Sequence, residues 1–326
     1  MKVAVLSFAH ERAAAYARLL HAAPDVDLVV ADPGGTRGRE AARELGAAYA
    51  DSWDEVFALG PAAVVVTGAP GHRRELVERA AAAGAHVLCE QPFAADAADA
   101  EAMVQACADA GVRLSLASPT CYSPAFAAVR ERLSDTELLG ALTTVHGAYN
   151  APRPAGAPGG ALDTNAPGLF DLVDLVLGGT PAEQVYAQTN GIRGGASDGE
   201  SAALVSVRYA DGTVVSVDCS WGTDGDRSVH EPALTFIGER ASVEFAGAPR
   251  LLGGYDAASA RERWVLREDD PYAVMLGAFL TAVREGTATG PDGATGVRTL
   301  RIIEAARESA RTGQPVGPAA PHAVAS

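Results

Sequence analysis

Two short apolar segments of the sequence end in polar residues that could bind or react with a ligand. Residues 62–66 run into Thr67, and residues 86–89 run into Glu90-Gln91-Pro92. Both segments are typical of buried strands, and residues 72–83 between them carry apolar side chains at helical spacing. Such a strand, helix and strand unit has parallel strands, and ligands bind outside the carboxyl ends of parallel strands. The sequence therefore predicts a ligand site where these two strands end.

The turn after the first strand is a second candidate site. Dinucleotide-binding folds usually carry G-x-G-x-x-G at this point. Here Ser7, Ala9 and Arg12 stand at the three glycine positions, and Ala13 takes the third place after a one-residue shift. Ser and Ala are small enough to let the backbone approach a pyrophosphate, and the following helix start presents free N–H groups. The turn, from Ser7 to His10, is thus predicted to contact a nucleotide, although His10 is alternatively an exposed loop residue.

Asp32 is predicted to contact the adenosine ribose of the cofactor. It stands 25 residues after Ser7, about where an acidic residue bonds that ribose in dinucleotide-binding folds. Alternatively, Asp32 is a turn residue at the end of the second strand. Arg37 and Arg39 nearby would suit the 2′-phosphate of NADP, so NAD and NADP both remain candidates, with NAD preferred because of Asp32.

The predicted elements divide the chain into two domains. Strands and helices alternate up to about residue 117, which predicts a doubly wound parallel Rossmann sheet in an α/β fold. Beyond residue 118, strands with alternating polar and apolar residues follow a helix, and Asp211-Gly212 is typical of a hairpin. This second part is predicted to be an α+β domain with a mostly antiparallel open sheet. The predicted boundaries are 1–118 for the dinucleotide-binding domain, 119–314 for the second domain, and 315–326 for a flexible tail.

The composition narrows the classes of function. With 41 acidic and 26 basic residues the formal net charge is -15, which repels polyanions and argues against nucleic-acid binding. No apolar run reaches the roughly 18 residues that span a membrane, and no signal peptide is recognised. The four cysteines fit neither a zinc site nor a disulfide framework. We therefore expect a cytoplasmic protein that binds a small molecule, with no metal, nucleic acid or membrane.

Several of these motifs together resemble the glucose-fructose oxidoreductase, inositol dehydrogenase and rhizopine catabolism (Gfo/Idh/MocA) family. The resemblance covers essentially the whole chain. It is carried by Thr67 and His72 with their spacing, by the runs GAHVLCEQP (84–92) and GGAL (159–162), and by pieces at 236–239 and 296–312. It implies an N-terminal NAD(P)-binding Rossmann domain, and it implies that 119–314 is the substrate-binding and oligomerisation domain, an α/β domain whose sheet forms a homodimer or homotetramer. It also implies oxidation or reduction of a hydroxyl or ketone on a sugar, cyclitol or related polyol.

The strand ends and the resemblance together predict the residues that bind the cofactor. They are Ser7, Phe8, Ala9, His10, Asp32, Thr67, Gly68, His72, Glu90 and Gln91.

This chain departs from the family pattern at its catalytic positions. The family tripeptide is usually Glu-Lys-Pro, with its lysine near the nicotinamide and the reacting hydroxyl, whereas this chain has Gln91. A second motif usually supplies an aspartate and, four residues later, a histidine. An ungapped alignment puts Thr164 and Gly168 at these positions, and a one-residue shift puts Asp163 and Pro167 there. Because glutamine does not titrate, Gln91 can orient an oxygen but cannot take its proton, and a positioned base typically contributes 10²–10⁴-fold.

Candidate catalytic and substrate-binding residues follow from these departures. The catalytic candidates are Gln91, Asp163 and His146, and the predicted substrate contacts are Tyr122, Thr164, Asn165 and Gly168. Asp163 is alternatively a turn residue, and Tyr122, at the domain junction, is alternatively a packing residue.

Three functions agree with these residues. The first is an NAD(P)-dependent oxidoreductase acting on a sugar-like or other small hydroxyl or carbonyl substrate, with Asp163, His146 or water taking the proton. The second is a non-redox enzyme on the same fold, catalysing an elimination, hydration or isomerisation. The third is a catalytically inactive relative that binds a ligand or partner. The first is favoured because the Rossmann pattern and Asp32 persist.

Overall fold

The chain folds into two compact units. The computed structural model describes residues 1–153, 159–193, 199–222, 231–247, 251–256, 261–266, 270–288 and 290–318. The first unit contains Met1–Tyr122 and Pro271–Leu300, and the second contains Ser123–Asp270 and Arg301–Ser326. Among the described residues, no helix is both long and apolar enough to cross a membrane.

A six-stranded parallel sheet forms the centre of the first unit. Its strands are β1 (Lys2–Leu6), β2 (Asp27–Ala31), β3 (Ala48–Ala50), β4 (Ala63–Val66), β5 (His86–Glu90) and β6 (Leu114–Ala117). They lie side by side in the order β3-β2-β1-β4-β5-β6, and every neighbouring pair is parallel. The runs of fully buried valine, alanine and leucine in β1 and β4 show that helices cover both faces. The predicted doubly wound α/β fold is confirmed.

Helices connect these strands and fill the two faces. They are α1 (Ala13–Ala22), α2 (Arg37–Leu45), α3 (Trp53–Ala58), α4 (Pro70–Ala82) and α5 (Ala97–Asp109). Ser52 caps α3, because its hydroxyl accepts the N–H of Glu55 at 3.1 Å. Helix α1 begins only at Ala13, because residues 7–12 form the turn described below.

The segment Pro271–Leu300 returns to the first unit. Helix α10 (Pro271–Glu285) buries Met275, Leu276 and Phe279 in the same apolar cluster as Val3 and Val5 of β1. The sequence prediction included this helix in the domain 119–314, whereas its buried side chains belong to the core of the first unit. Its amphipathic pattern predicts a buried face but does not reveal which core that face joins.

The second unit is built on a mostly antiparallel sheet. Its elements are α6 (Pro124–Leu133), α7 (Thr136–Leu139), β7 (Leu142–Ala151), α8 (Ala161–Thr164), α9 (Ala166–Leu177), β8 (Ala182–Asn190), β9 (Ala202–Tyr209), β10 (Val214–Trp221), β11 (Ala233–Gly238) and β12 (Ser242–Ala246). The strand order is β12-β11-β7-β10-β9-β8, and only the β7–β10 pair is parallel. The predicted α+β class of this half is confirmed. A two-stranded ribbon, β13 (Leu251–Asp256) with β14 (Arg261–Leu266), and helix α11 (Gly293–Thr312) complete the described elements.

The two faces of the second sheet differ. Val145, Val205 and Val217 are buried on the face that packs against α9. On the opposite face, His146 lies beside Ser216 and Thr235 in register. The alternation along β7 therefore separates His146 from the helices of its own unit.

The start of the predicted flexible tail is ordered by strand pairing. Val316 exchanges two backbone hydrogen bonds of 2.8 Å with Val185 of β8. The prediction of a loose tail from residue 315 is thus wrong at this position, because the chain adds to the free edge of the sheet. Residues 319–326, which complete the predicted tail, lie outside the described residues.

Candidate active site

The carboxyl ends of β1, β2, β4 and β5 meet at one edge of the parallel sheet. Ser7, Asp32 and Thr67 follow β1, β2 and β4, and Gln91 follows β5. Strand β1 lies between β2 and β4, so the direction in which successive strands are added reverses at β1. In doubly wound sheets, ligands bind in a crevice at this point. The structure therefore brings together the strand-end residues that the sequence predicts.

The β1–α1 turn adopts the shape of a glycine turn without glycine. Ser7 has φ +72°, a left-handed conformation that non-glycine residues rarely adopt. The turn is held by the Thr67 hydroxyl, which donates to the Ser7 carbonyl at 2.7 Å, and by the His10 N–H, which donates to the Thr67 carbonyl at 3.2 Å. Thr67 is thus a fully buried brace for the turn.

His10 accepts two backbone N–H groups just before α1. Its Nδ1 accepts the N–H of Arg12 at 3.2 Å, and its carbonyl accepts the N–H of Ala13 at 3.2 Å. Burial lowers the pKa of His10, and the nearby Glu90 carboxylate opposes that effect only in part. A neutral ring is required for Nδ1 to accept a hydrogen bond, so the contact with the Arg12 N–H and the lowered pKa agree.

Asp32 ties the β1–α1 turn to helix α2. Its carboxylate accepts the Phe8 N–H at 3.0 Å and the Gly38 N–H at 3.1 Å, and only 8% of the residue is exposed. The backbone packs closely against it, since a Cβ at Gly35 would lie 2.0 Å from Oδ2. The Phe8 side chain is buried in the core, so a nucleotide contact from Phe8 could come only from its backbone.

The two largest hydrophobic or charged side chains of the turn, Phe8 and Arg12, have partners elsewhere. Arg12, the largest departure from the glycine pattern, places its guanidinium 3.6 Å from Oε1 of Glu90 and 5.3 Å from the ring centre of Tyr272. Ala13 begins α1 and is fully buried. Because Arg12 is directed to Glu90 and Phe8 to the core, the small residues Ser7 and Ala9 remain at the turn. This arrangement fits the backbone approach that a pyrophosphate needs.

The Glu-Gln-Pro tripeptide is held by Arg73, a residue that the sequence interpretation missed. Arg73 is 1% exposed and donates to the carbonyl oxygens of Gly68 at 2.8 Å, Glu90 at 2.5 Å and Gln91 at 3.4 Å. Burial lowers the pKa of its guanidinium. Its position in the helical repeat could have revealed its burial, since Arg73 lies on the same face of α4 as the apolar residue Leu76.

Gly68 and His72 occupy the β4–α4 junction. Gly68 is buried, and a Cβ there would approach Leu76 Cδ1 at 3.2 Å. His72 is exposed in the first turn of α4, and it does not cap the helix, whose N-cap residue is Ala69.

In the second unit, both carboxylate oxygens of Asp163, in α8, have partners within the protein. One oxygen accepts the N–H of Gly160 at 3.1 Å, and the other forms an ion pair with Arg307. The alternative reading of Asp163 as a residue that stabilises a local turn therefore agrees with its contacts.

Two of the predicted substrate contacts, Thr164 and Asn165, form hydrogen bonds within the protein. The Asn165 amide donates to the carbonyls of Tyr149 at 3.1 Å and Ser220 at 3.0 Å, which links the ends of β7 and β10. Thr164 accepts the indole N–H of Trp221 at 3.3 Å. Gly168 has space around it, since a Cβ there would lie 3.9 Å from Tyr149.

His146 and Tyr122 are the two remaining candidates. His146 is exposed on the sheet face opposite α9, so the structure separates it from Asp163. Tyr122, in the first unit, packs against the apolar core and against Gly290, where a Cβ would lie 2.2 Å from its ring. The packing interpretation of Tyr122 agrees with this position.

Two family models match the sequence. The first, described as an oxidoreductase family with an NAD-binding Rossmann fold, matches residues 7–118. The second, the GFO/IDH/MocA C-terminal domain, matches residues 126–244.

Curated relatives align along most of the chain. The sequence is 28% identical to D-apiose dehydrogenase of Paraburkholderia graminis over 77% of this chain and 71% of that protein. It is 26% identical to inositol 2-dehydrogenase 1 of Saccharopolyspora erythraea over 89% of this chain and 87% of that protein.

Solved structures with the same fold cover nearly the whole chain. GenD2 from gentamicin A biosynthesis, solved in complex with NAD, superposes with a TM-score of 0.84 at 25% identity, covering 98% of this chain and 97% of that one. A probable dehydrogenase from Thermotoga maritima shares the fold with a TM-score of 0.83 at 21% identity, covering 97% and 98%. With both halves matched in order by its models, the chain belongs to the Gfo/Idh/MocA family of oxidoreductases with an NAD-binding Rossmann fold.

Proposed function

We propose that this protein uses NAD(P) to oxidise a hydroxyl, or reduce a carbonyl, on a sugar-like or cyclitol substrate. The observation that carries the proposal is the crevice where Ser7, Asp32, Thr67 and Gln91 follow adjacent parallel strands. The names of the relatives support the substrate class, since they are dehydrogenases of D-apiose and inositol. A D-xylose 1-dehydrogenase from Haloferax volcanii is a further relative, at 28% identity.

NAD is the proposed cofactor, in preference to NADP. The Asp32 carboxylate at the end of β2 would repel a 2′-phosphate and can accept hydrogen bonds from ribose hydroxyls. Both nearby arginines have other partners. Arg37 donates to the Ala9 carbonyl at 3.2 Å, and Arg39 pairs with Asp51 and stacks on Tyr49. This arrangement favours a cofactor without the additional phosphate.

The proposed chemistry is unusual in its handling of the proton. The bound nicotinamide would supply hydride transfer, and Gln91 would orient the reacting oxygen through its side-chain amide. Asp163 is paired with Arg307, and His146 lies on the opposite face of the sheet from α9. We infer that solvent water takes the proton and that the chain diverges from relatives that use the lysine and histidine of the family pattern. Thr164 and Gly168 remain the proposed substrate contacts.

We also infer that the second sheet mediates self-association. Its open face carries the exposed apolar residues Tyr186, Leu204 and Val214, which are 37%, 58% and 39% exposed. Exposed apolar residues that share one face of a sheet are suited to an isologous contact. Light scattering should give a dimer or tetramer for the wild type and a smaller species for Leu204→Glu. A monomeric wild type would contradict this assembly.

The function is tested by titration with NADH and NADPH, followed by a screen of sugars and cyclitols. Micromolar binding of NADH, weaker binding of NADPH, and substrate-dependent change at the nicotinamide absorbance are expected. The Asp32→Ala variant should bind NADH more weakly. Folded protein that binds neither cofactor would rule out the oxidoreductase and favour the ligand-binding alternative. Binding without any redox change would favour the non-redox alternative.

A further inference from the structure

A buried carboxylate lies directly behind Gln91. Glu90 is fully buried at the end of β5, and each of its oxygens has a defined donor. The hydroxyl of Tyr16 donates to Oε2 at 2.5 Å, and the backbone N–H of Gln91 donates to Oε1 at 2.8 Å. One carboxylate therefore connects helix α1 to the peptide group that carries the Gln91 side chain.

Tyr16 is suited to a fixed donor role. It is fully buried in α1, and its ring lies 6.0 Å from that of Tyr272 in the first turn of α10. Burial and the Glu90 carboxylate raise the pKa of Tyr16 well above its ordinary value. The hydroxyl therefore stays protonated and keeps donating to Glu90 over the whole pH range in which the protein is handled.

The Gln91 backbone is held from both sides. On one side Glu90 accepts its N–H, and on the other the buried Arg73 donates to the Gln91 carbonyl. Hydrogen bonds to charged groups are stronger than neutral ones, and a buried carboxylate that loses a donor is costly. The most direct way to relax this arrangement is to remove the Tyr16 hydroxyl, because the carboxylate would then turn toward its remaining partners.

We propose that Tyr16 is a positioning residue that acts through Glu90 to aim the Gln91 amide at the reacting oxygen. This inference rests on the proposed function, because it assigns Gln91 to the orientation of that oxygen. Arg12 extends the same contact to the nucleotide turn, since its guanidinium lies 3.6 Å from Glu90. Misplacement of a reacting group by about 1 Å can cost about 100-fold in rate, so an effect transmitted through Glu90 is measurable.

The test compares full-length Tyr16→Phe with Tyr49→Phe. Both substitutions remove one phenolic hydroxyl from the first unit; that of Tyr49 donates to the Asp32 carbonyl at 2.9 Å and lies outside the Glu90 contacts. For Tyr16→Phe, kcat should fall about tenfold to 100-fold while the NADH Kd changes by less than about twofold. Tyr49→Phe should retain kcat. An unchanged kcat in Tyr16→Phe, or an equal loss in both variants, would overturn the proposal.

A second measurement does not depend on activity. Gln91 is one of five glutamines, so ¹⁵N-glutamine labelling makes its backbone amide observable. Tyr16→Phe should raise the exchange rate of the Gln91 N–H by about tenfold, because the accepting carboxylate is no longer fixed. Unaltered exchange would overturn the positioning role. If no substrate supports a redox change but this exchange increases in Tyr16→Phe, the proposed function fails while the link from Tyr16 to Gln91 stands.

Discussion

At the scale of single residues, the candidate site depends on buried polar groups more than on exposed ones. Arg73, Glu90 and Thr67 are all at most 1% exposed, and each binds backbone atoms at the strand ends. Thr67 and Glu90, which were predicted to contact the cofactor, thus belong to this buried framework, whereas Ala9 and His72 are exposed. A buried ionic group that fixes backbone carbonyls and amides is expensive to disturb, because its partners cannot reach water.

Arg73→Met should destabilise the protein strongly. Methionine has a similar length but cannot donate, so the carbonyls of Gly68 and Glu90 would be left buried without their donor. We expect a loss of about 2–5 kcal/mol in the free energy of unfolding, measured by urea denaturation. Arg74→Met is the matched control, because Arg74 is about half exposed and pairs with the surface carboxylates of Glu78 and Asp99. Its effect should stay below about 1 kcal/mol, and equal losses in the two variants would contradict the role of Arg73.

Gln91→Lys should increase turnover and change its pH dependence. A lysine at this position can accept a proton, and a positioned base typically contributes about 10²–10⁴-fold. The variant's kcat should therefore rise with pH to a plateau that the wild type lacks, as measured with the best substrate of the screen. Gln91→Met, which can neither titrate nor orient an oxygen, should be slower than the wild type. A Gln91→Lys enzyme slower than the wild type at every pH would show that another group already takes the proton.

At the scale of elements, the sequence predicted the parallel strands well because each is a short, continuous apolar run. The strands of the second sheet were also predictable, since their alternation matches a sheet with one covered face. Three features were not. The pattern of residues 141–146 predicts a strand that ends at His146, whereas β7 continues to Ala151. No pattern indicated the β13–β14 ribbon. Nor does helix periodicity tell which core receives α10.

The site shows the same division between local and non-local information. Thr67, Asp32 and Glu90 could be placed at strand ends from the sequence, because the end of an apolar run is a local signal. The partners of Asp163 and Asn165 could not be predicted. Arg307 is far away in sequence, and the carbonyls of Tyr149 and Ser220 come together only when β7 pairs with β10.

Two histidines of the first unit, His10 and His86, should make its stability decrease at acidic pH. His10 accepts the Arg12 N–H through Nδ1 at 3.2 Å, and His86 at the start of β5 accepts the Arg113 N–H through Nδ1 at 3.0 Å. Burial is the main cause that lowers the pKa of each ring below its ordinary value of 6.5. As pH falls through 6.5 the unfolded chain takes up protons first, so stability that is complete above this pH is lost progressively below it.

This pH dependence is tested by measuring the urea concentration at the midpoint of unfolding between about pH 5 and pH 8. The wild type is compared with the double variant His10→Asn/His86→Asn. The asparagine Oδ1 can accept the same N–H groups but does not titrate. The double variant should therefore lose part of the decrease below pH 6.5 that the wild type shows. Identical pH dependence in the two proteins would exclude these histidines as its source.

At the scale of the whole molecule, the C-terminal part of the chain completes the nucleotide-binding unit. After α10, the Pro291 carbonyl accepts the N–H of Leu116, and Asp292 pairs with Ser115, so this segment covers the free edge of β6. Gly296 then packs against Phe93, where a Cβ would lie 2.5 Å from the ring. The first 122 residues alone would thus lack a helix of their core and the cover of an edge strand.

Phe279→Ala should therefore destabilise a unit whose first segment, Met1–Tyr122, lies far from it in the sequence. Phe279 is fully buried in the cluster that contains Val5 and Tyr16, and truncating a buried phenylalanine costs about 3–5 kcal/mol. Hydrogen exchange should become faster in β1, β4 and β5, while β9 and β10 should keep their protection. Phe236→Ala is the matched control, because Phe236 is equally buried in β11 of the second unit, and its effect should be the reverse. If Phe279→Ala instead loosened β9 and β10 and left β1 protected, α10 would have to be assigned to the second unit.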